Sequence, residues 1–363
     1  PSDRADSWRL SAVLGGSPGY DDSAETHPAD SIVINEVLAN SVGGPDWIEL
    51  HNTTDATVDI GGWFISDDAD NLAKYRIVPE TEIAPDGYFL LYEDQQFGNG
   101  ADPGCAEPFA LSRVGETLYL HSAAAGLPGG YSQRMEFAAS APGVSLGRHR
   151  KGAGDFSLIP LVEPTPGASN ADPAVGPVVI TEIMYHHPDS TDIEYVELRN
   201  ISDEEIVLFD AQRAAAWRFT DDPADPGIDF LFPYDPRVIL APGEYVLLTS
   251  SRTLLDDRYS IPASIQVFEW DAGRLGNAGE MLQLSRPGEP DEDVPVWLPV
   301  DRVHYSDGSQ HEAFPDGLDP WPPEADGKGL SLTRTVIGAY GDDPQNWRAA
   351  EPSPGVSRSR LHR

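Results

Sequence analysis

Six sequence blocks recur in the same order along this chain, and a fixed-order recurrence at domain length restricts the fold to tandem copies of one unit. The first block, Ile32-Val33-Ile34-Asn35-Glu36-Val37, is answered by Val178-Val179-Ile180-Thr181-Glu182-Ile183. Both are rich in β-branched residues and read as opening strands. The second, Asp46-Trp47-Ile48-Glu49-Leu50-His51-Asn52, returns as Glu194-Tyr195-Val196-Glu197-Leu198-Arg199-Asn200. Its apolar positions alternate with charged ones, the pattern of a half-buried strand, and it ends at an Asn turn.

The third block, Gly62-Trp63-Phe64-Ile65-Ser66-Asp67-Asp68, is matched more loosely by Ala216-Trp217-Arg218-Phe219-Thr220-Asp221-Asp222, with the Trp as a core anchor. A Pro and Gly turn feeds an apolar strand in Ile83 to Leu91 and again in Leu240 to Leu248. Leu111 to Leu120 and Leu275 to Leu284 share a Gly-Glu turn followed by an alternating strand. Finally, Val144 to Arg148 leads to Pro164-Thr165-Pro166-Gly167, and Leu330 to Arg334 leads through Asn346-Trp347-Arg348 to Ser353-Pro354-Gly355.

That closing signature stands a third time at the start, in Ser7-Trp8-Arg9 followed by Gly16-Ser17-Pro18-Gly19, so residues 1–20 read as the tail of an upstream copy. Residues 21–30 and 169–177 read as linkers. Copy one is expected over 31–168, copy two over 178–356 with an insertion near 288–324, and a tail over 357–363. The opening Pro1 reads as the start of an excerpt from something longer. With 34 Gly, 33 Pro and few stretches able to hold a helix, the expected class is all-β, two tandem sandwiches.

The blocks I-N-E-aliphatic, D-W-I-E-L-x-N, G-W-x-I-S-D, I-A-P-x-G-Y, G-E-x-L-Y-L and P-T-P-G together resemble the bacterial lamin-tail domain. The resemblance implies an immunoglobulin-like β-sandwich. It also implies a non-catalytic module, found in nuclear lamins and in long multidomain surface or secreted bacterial proteins. Copy two departs from the pattern at Ala216-Trp217 and in its loops.

A formal net charge of −36 sets up repulsion from any phosphate backbone, and the richest basic run is Arg148-His149-Arg150-Lys151, so nucleic acid is not an expected partner. Only three lysines, Lys74, Lys151 and Lys328, stand against 60 carboxylates, a balance suited to a saline or calcium-bearing medium. Cys105 is the lone cysteine, which excludes an intrachain disulfide. No apolar run is long enough to span a bilayer as a helix, so direct membrane insertion is not expected.

The repeated carboxylates Glu36 with Glu49 and Glu182 with Glu197 have the composition of a glycosidase acid and nucleophile. Their recurrence in both copies points instead to a fold role, as partners of backbone groups or of an Arg. Asp67, Asp68 and Asp70 supply the hard oxygens calcium prefers, as does Asp291-Glu292-Asp293, without EF-hand spacing. His186 and His187 beside Asp189 and Asp192 have metal-ligand chemistry but no ordered ligand spacing. The sequons at Asn52 and Asn200 share one strand-ending turn, which turn chemistry explains without a sugar. Trp297 and Trp321, in the stretch the repeat leaves unexplained, are the candidate binding surface.

No catalytic or cofactor-binding residue is expected, calcium being the candidate ion. The sequence thus predicts beads within an extracellular or cell-surface bacterial protein that serve binding, adhesion or spacing to a protein or polysaccharide partner. The alternatives are a calcium- or carbohydrate-binding module that targets a neighbouring enzyme, and a carboxylate-pair hydrolase.

Overall fold

The computed structural model describes residues 16, 18, 30–124, 126–189, 193–314 and 317–356. The chain divides into two compact units, Pro1–His149 with Ser157–Asp172, and Arg150–Phe156 with Pro173–Arg363. All but residues 16 and 18 of the upstream tail, and all but residue 30 of the 21–30 linker expected from the sequence, lie outside the described residues.

In the first unit a five-stranded sheet runs in the order Phe156–Pro160, Leu146–Arg150, Ile32–Leu38, Trp47–Asn52, Tyr88–Tyr92. A four-stranded sheet runs Tyr75–Arg76, Phe64–Ser66, Gly115–Ala124, Leu127–Ala138. Ile32, Ile34, Ile48, Leu50 and Leu91 from one sheet meet Ile65, Leu118, Leu120 and Phe137 from the other in a single core. Alternation explains the pairing: on a pleated strand every second side chain faces the other sheet, so Ile48 and Leu50 point inward while Glu49 points out. Trp63 is buried in this core against Tyr131, with ring centroids 5.0 Å apart.

The second unit repeats this arrangement with a six-stranded sheet, in the order Gln266–Glu269, Tyr245–Thr249, Tyr195–Asn200, Val178–Met184, Ser331–Arg334, Trp347–Ala350. Facing it are Asp229–Leu231, Arg218–Thr220, Gly279–Pro287 and Trp297–Ser306. Both units are therefore all-β sandwiches. The strand Gln266–Glu269 has no counterpart in the first unit; it pairs parallel to Tyr245–Thr249 after a crossover through the helix Arg252–Arg258. That helix starts at Ser251, whose hydroxyl accepts the Leu254 N–H, and it buries Leu255 against Met184, Tyr195 and Leu247. A seven-residue helix is too short to persist alone and depends on this apolar contact.

The stretch 288–324 is not an insertion throughout. Trp297–Ser306 pairs with Gly279–Pro287 as Leu127–Ala138 pairs with Gly115–Ala124, so its centre is a strand of the repeat. The two counterparts share almost no sequence. What copy two adds lies around that strand, in the turn before it and the loop after it.

Candidate functional site

In both units the opening strand carries a bulge at the same place. Ile34 pairs with Leu50 and Glu36 with Glu49, so Asn35 is the extra residue; in the second unit Ile180 pairs with Leu198 and Glu182 with Glu197, leaving Thr181 extra. Without the bulge, alternation would send Glu36 into the core beside Ile34. The added residue moves it to the outer face, directly across from Glu49, and returns Val37 to the core. Two carboxylates thus lie side by side on the outside of the sheet, and both are buried.

The closing segment buries them. In the first unit Glu36 accepts the Thr165 N–H at 3.0 Å and the Thr165 hydroxyl at 2.8 Å. Glu49 accepts the Gly167 N–H at 2.5 Å and the Asn35 side-chain amide at 2.8 Å. The second unit uses the same plan: Glu182 accepts the Ser353 N–H at 2.9 Å and its hydroxyl at 3.0 Å, and Glu197 accepts the Gly355 N–H at 2.7 Å. Tyr195 and Ser331 add hydroxyl donors to Glu182 at 2.7 and 2.5 Å, and Thr181 donates to Glu197 at 2.6 Å.

Each Thr/Ser-Pro-Gly closure is therefore held by two glutamates. Pro has no N–H, so the flanking residues supply every main-chain donor. Burial pushes Glu49 up to about 7 against the pull of the Gly167 N–H, and Glu197 up to about 8, with the adjacent Glu182 adding to the rise.

Residues 25–128 match the Lamin Tail Domain family. The match includes both glutamates of the first unit and stops within the Leu127–Ala138 strand, short of the closing segment. For the first unit, the resemblance read from the sequence blocks is thus a family match, and the lamin-tail family suggests a non-catalytic module. No curated protein matches the chain. Among solved structures, a DUF4876 family protein from Bacteroides thetaiotaomicron is similar at 12% identity with a TM-score of 0.33, over 64% of this chain and 90% of that one.

The other sequence candidates fall in separate places. Asp67, Asp68 and Asp70 sit beside a cation that the chain supplies itself. The Lys74 ammonium is 2.8 Å from Asp67 and 3.8 Å from both Asp68 and Glu107, while Asp70 donates its N–H to the Asp68 carboxylate. The Lys74 ammonium thus already pairs with Asp67 and lies near Asp68. Asp291-Glu292-Asp293 forms an exposed turn. His186 pairs with Asp326 at 2.6 Å, whereas His187 accepts the Asp189 N–H and faces Arg258, so the two imidazoles diverge. Asp192 lies outside the described residues. Among the described residues no group of three metal-ligating side chains converges.

Trp321 requires a correction as a surface candidate: only 2% exposed, it belongs to the second core, where its ring lies 6.2 Å from that of Trp347. An indole in a loop looks like a contact residue in sequence, but in the fold it packs into the core. Trp297 is half-buried beneath the Arg218 guanidinium, which Asp229 fixes from the side. Asn52 and Asn200 are fully buried turn residues. Each donates its amide to main-chain carbonyls and accepts from the Thr54 or Ser202 two positions on, which leaves no amide for a sugar.

Sequence reasoning gave the glutamates backbone groups or an Arg as partners; it missed the bulge, and that the closing segment supplies those backbone groups. The signal available was the pairing itself: in both copies, and in no other repeated block, two strand glutamates accompany a Thr/Ser-Pro-Gly closure.

Proposed function

We propose that this chain is a non-catalytic binding, adhesion or spacer segment of a larger extracellular or cell-surface protein, built of two lamin-tail-type units in tandem. The observation that carries this reading is the state of the glutamate pairs. A glycosidase acid and nucleophile need an open face for substrate and water. Here the closing segment covers both carboxylates of each pair, and its N–H and hydroxyl groups bind them. The second unit, beyond the family match, belongs to the reading through its identical bulge, glutamate pair and closure.

Calcium targeting is disfavoured by the Lys74 ammonium. Carbohydrate or protein targeting keeps Trp297 as its candidate surface, because that indole remains partly accessible on the four-stranded sheet of the second unit.

The test is a pair of measurements on the full chain. Incubation with a panel of soluble polysaccharides and chromogenic glycosides is expected to release no product, while Glu36→Gln and Glu182→Gln lower the melting temperature. Turnover that disappears in Glu49→Gln with the fold intact would overturn the proposal.

A further inference from the structure

We infer that the glutamate pair of the second unit is a proton-operated latch: one proton held on Glu197 lets Glu182 and Glu197 lie together under Ser353-Pro354-Gly355, and its loss loosens that segment from the sheet. This rests on the structural reading of the pairs and adds to it a regulated state.

The count of donors points to Glu197 as the seat of the proton. Glu182 receives four donors, from Tyr195, Ser331 and both the N–H and hydroxyl of Ser353, the Ser331 hydroxyl lying also 3.3 Å from the Ala350 carbonyl. Glu197 receives two, and one of them is reversible. The Thr181 hydroxyl, 2.6 Å from Glu197 Oε1, also lies 3.3 Å from the Glu197 main-chain carbonyl. Rotating toward that carbonyl, the hydroxyl accepts a proton held on Glu197 Oε1 without leaving any donor unpartnered. In the first unit the bulge residue is Asn35, whose side-chain NH2 points at Glu49 Oε1 and can only donate. At that position the first unit offers Glu49 no acceptor for a carboxyl proton, so the Thr181 arrangement belongs to the second unit.

Once both carboxylates are ionised, two like charges face each other across paired strands in a buried site. Water reaches them only if residues 351–356 lift, together with the end of the edge strand Trp347–Ala350. The other titratable or charged groups around the pair are Tyr195, Tyr259 and Arg199, and Tyr259 in turn lies near Arg258, Glu351 and Asp189. Burial holds Tyr195 well above the ordinary phenol range and Tyr259 up to about 12, and an arginine stays charged throughout, so none of these three titrates near neutrality. The closed segment keeps its proton up to about pH 8, where Glu197 titrates.

The experiment is amide hydrogen exchange on the full chain between pH 6 and 9, corrected for intrinsic base catalysis, following Ser353 and Gly355 against core amides of Val196 and Leu198. With one proton released on opening, protection at Ser353 and Gly355 is expected to fall about tenfold per pH unit up to about pH 8 and then level off. Core amides should keep their protection. Glu197→Gln, which fixes the protonated shape, should flatten the profile. Thr181→Asn, an independent variant, should shift the levelling-off to lower pH.

Flat protection in the wild-type chain overturns the latch, as does an unchanged slope in Glu197→Gln. A slope shared by every core amide also overturns it, because that is global unfolding. Flat protection without turnover sinks the latch alone, whereas turnover abolished by Glu197→Gln sinks the structural reading beneath it.

Discussion

The two units place the same pair of glutamates at the same bulge and close them with the same Pro-Gly segment, yet they solve the remaining electrostatics differently. In the first, the opening strand is tied across the sandwich by a neutral group: Tyr131 receives the Ile32 N–H at 3.2 Å and donates to its carbonyl at 2.5 Å. In the second, an ion pair does comparable work two positions along. Asp301 accepts the Ile180 N–H at 2.8 Å, and Arg334 donates to the Ile180 carbonyl at 3.1 Å and to Asp301 at 2.7 Å.

The acidic turns diverge in the same way. Glu116 and Glu280 occupy equivalent strand positions, and each accepts an N–H from four residues before it. The first unit answers its acidic cluster with Lys74. The second uses the Tyr305 hydroxyl, 3.1 Å from Glu280, and burial holds that carboxyl up to about 7. The lesson is that a repeat preserves the geometry of a buried charge more strictly than the means of neutralising it.

The comparison breaks most visibly at the ion pair. Arg334→Met leaves Asp301 charged and buried, and it should cost the second unit about 3–5 kcal/mol, against about 1–2 kcal/mol in the first unit for Tyr131→Phe. Because two units seldom unfold as one two-state transition, hydrogen-exchange mass spectrometry resolved by unit is the measurement. Equal losses would show that Arg334 and Asp301 are solvated in solution.

Next in size are the glutamates themselves. Glu182→Ala strips partners from four donors and Glu36→Ala from two, so the second unit should lose about 2–4 kcal/mol and the first about 1–3 kcal/mol. A larger loss in the first unit would mean that the extra donors of Tyr195 and Ser331 find water once Glu182 is gone.

Lys74→Met tests the acidic turns. It leaves Asp67 and Glu116 without their cation and should lower the stability of the first unit by about 1–2 kcal/mol, with partial recovery as the pH falls. Millimolar calcium restoring the variant, but not affecting the parent chain, would show that the turn holds a metal when its own ammonium is removed.

The finest distinction is Thr181→Asn, which installs the first unit's bulge residue in the second. A carboxyl raised in the folded state contributes stability that is complete below its unfolded value, near 4.5, and is lost as the pH rises through the folded one. For Glu197 that loss should end near pH 8, and for Glu49 near pH 7. Thr181→Asn should draw the upper limit of the second unit toward that of the first, read by unit-resolved exchange. No movement would assign the difference to burial alone.

Much of this was legible in the chain. The repeat, the strand alternation of Asp46 to Asn52, the turn role of Asn52 and Asn200, and the anchoring of Trp63 and Trp217 follow from local pattern, because a strand's period and a turn's hydrogen bonds are set within a few residues. The helix after Ser251 carried a readable cap but too few residues for the pattern to stand out. The strand Trp297–Ser306 was hidden, because its partner Leu127–Ala138 shares a place in the sheet rather than side chains.

What the sequence by itself determined is the pair of all-β units and the presence of two strand glutamates with a Thr/Ser-Pro-Gly closure in each. Only the tertiary structure decided that, within each unit, the two glutamates and the closure meet. One extra residue in a strand turns Glu36 and Glu182 from core to outer face, and a bulge is a register relation between two strands that neither strand encodes alone. It likewise decided that Trp321 is core and that Lys74 fills the acidic turn, since burial and charge neutralisation depend on what the rest of the chain brings within a few ångströms.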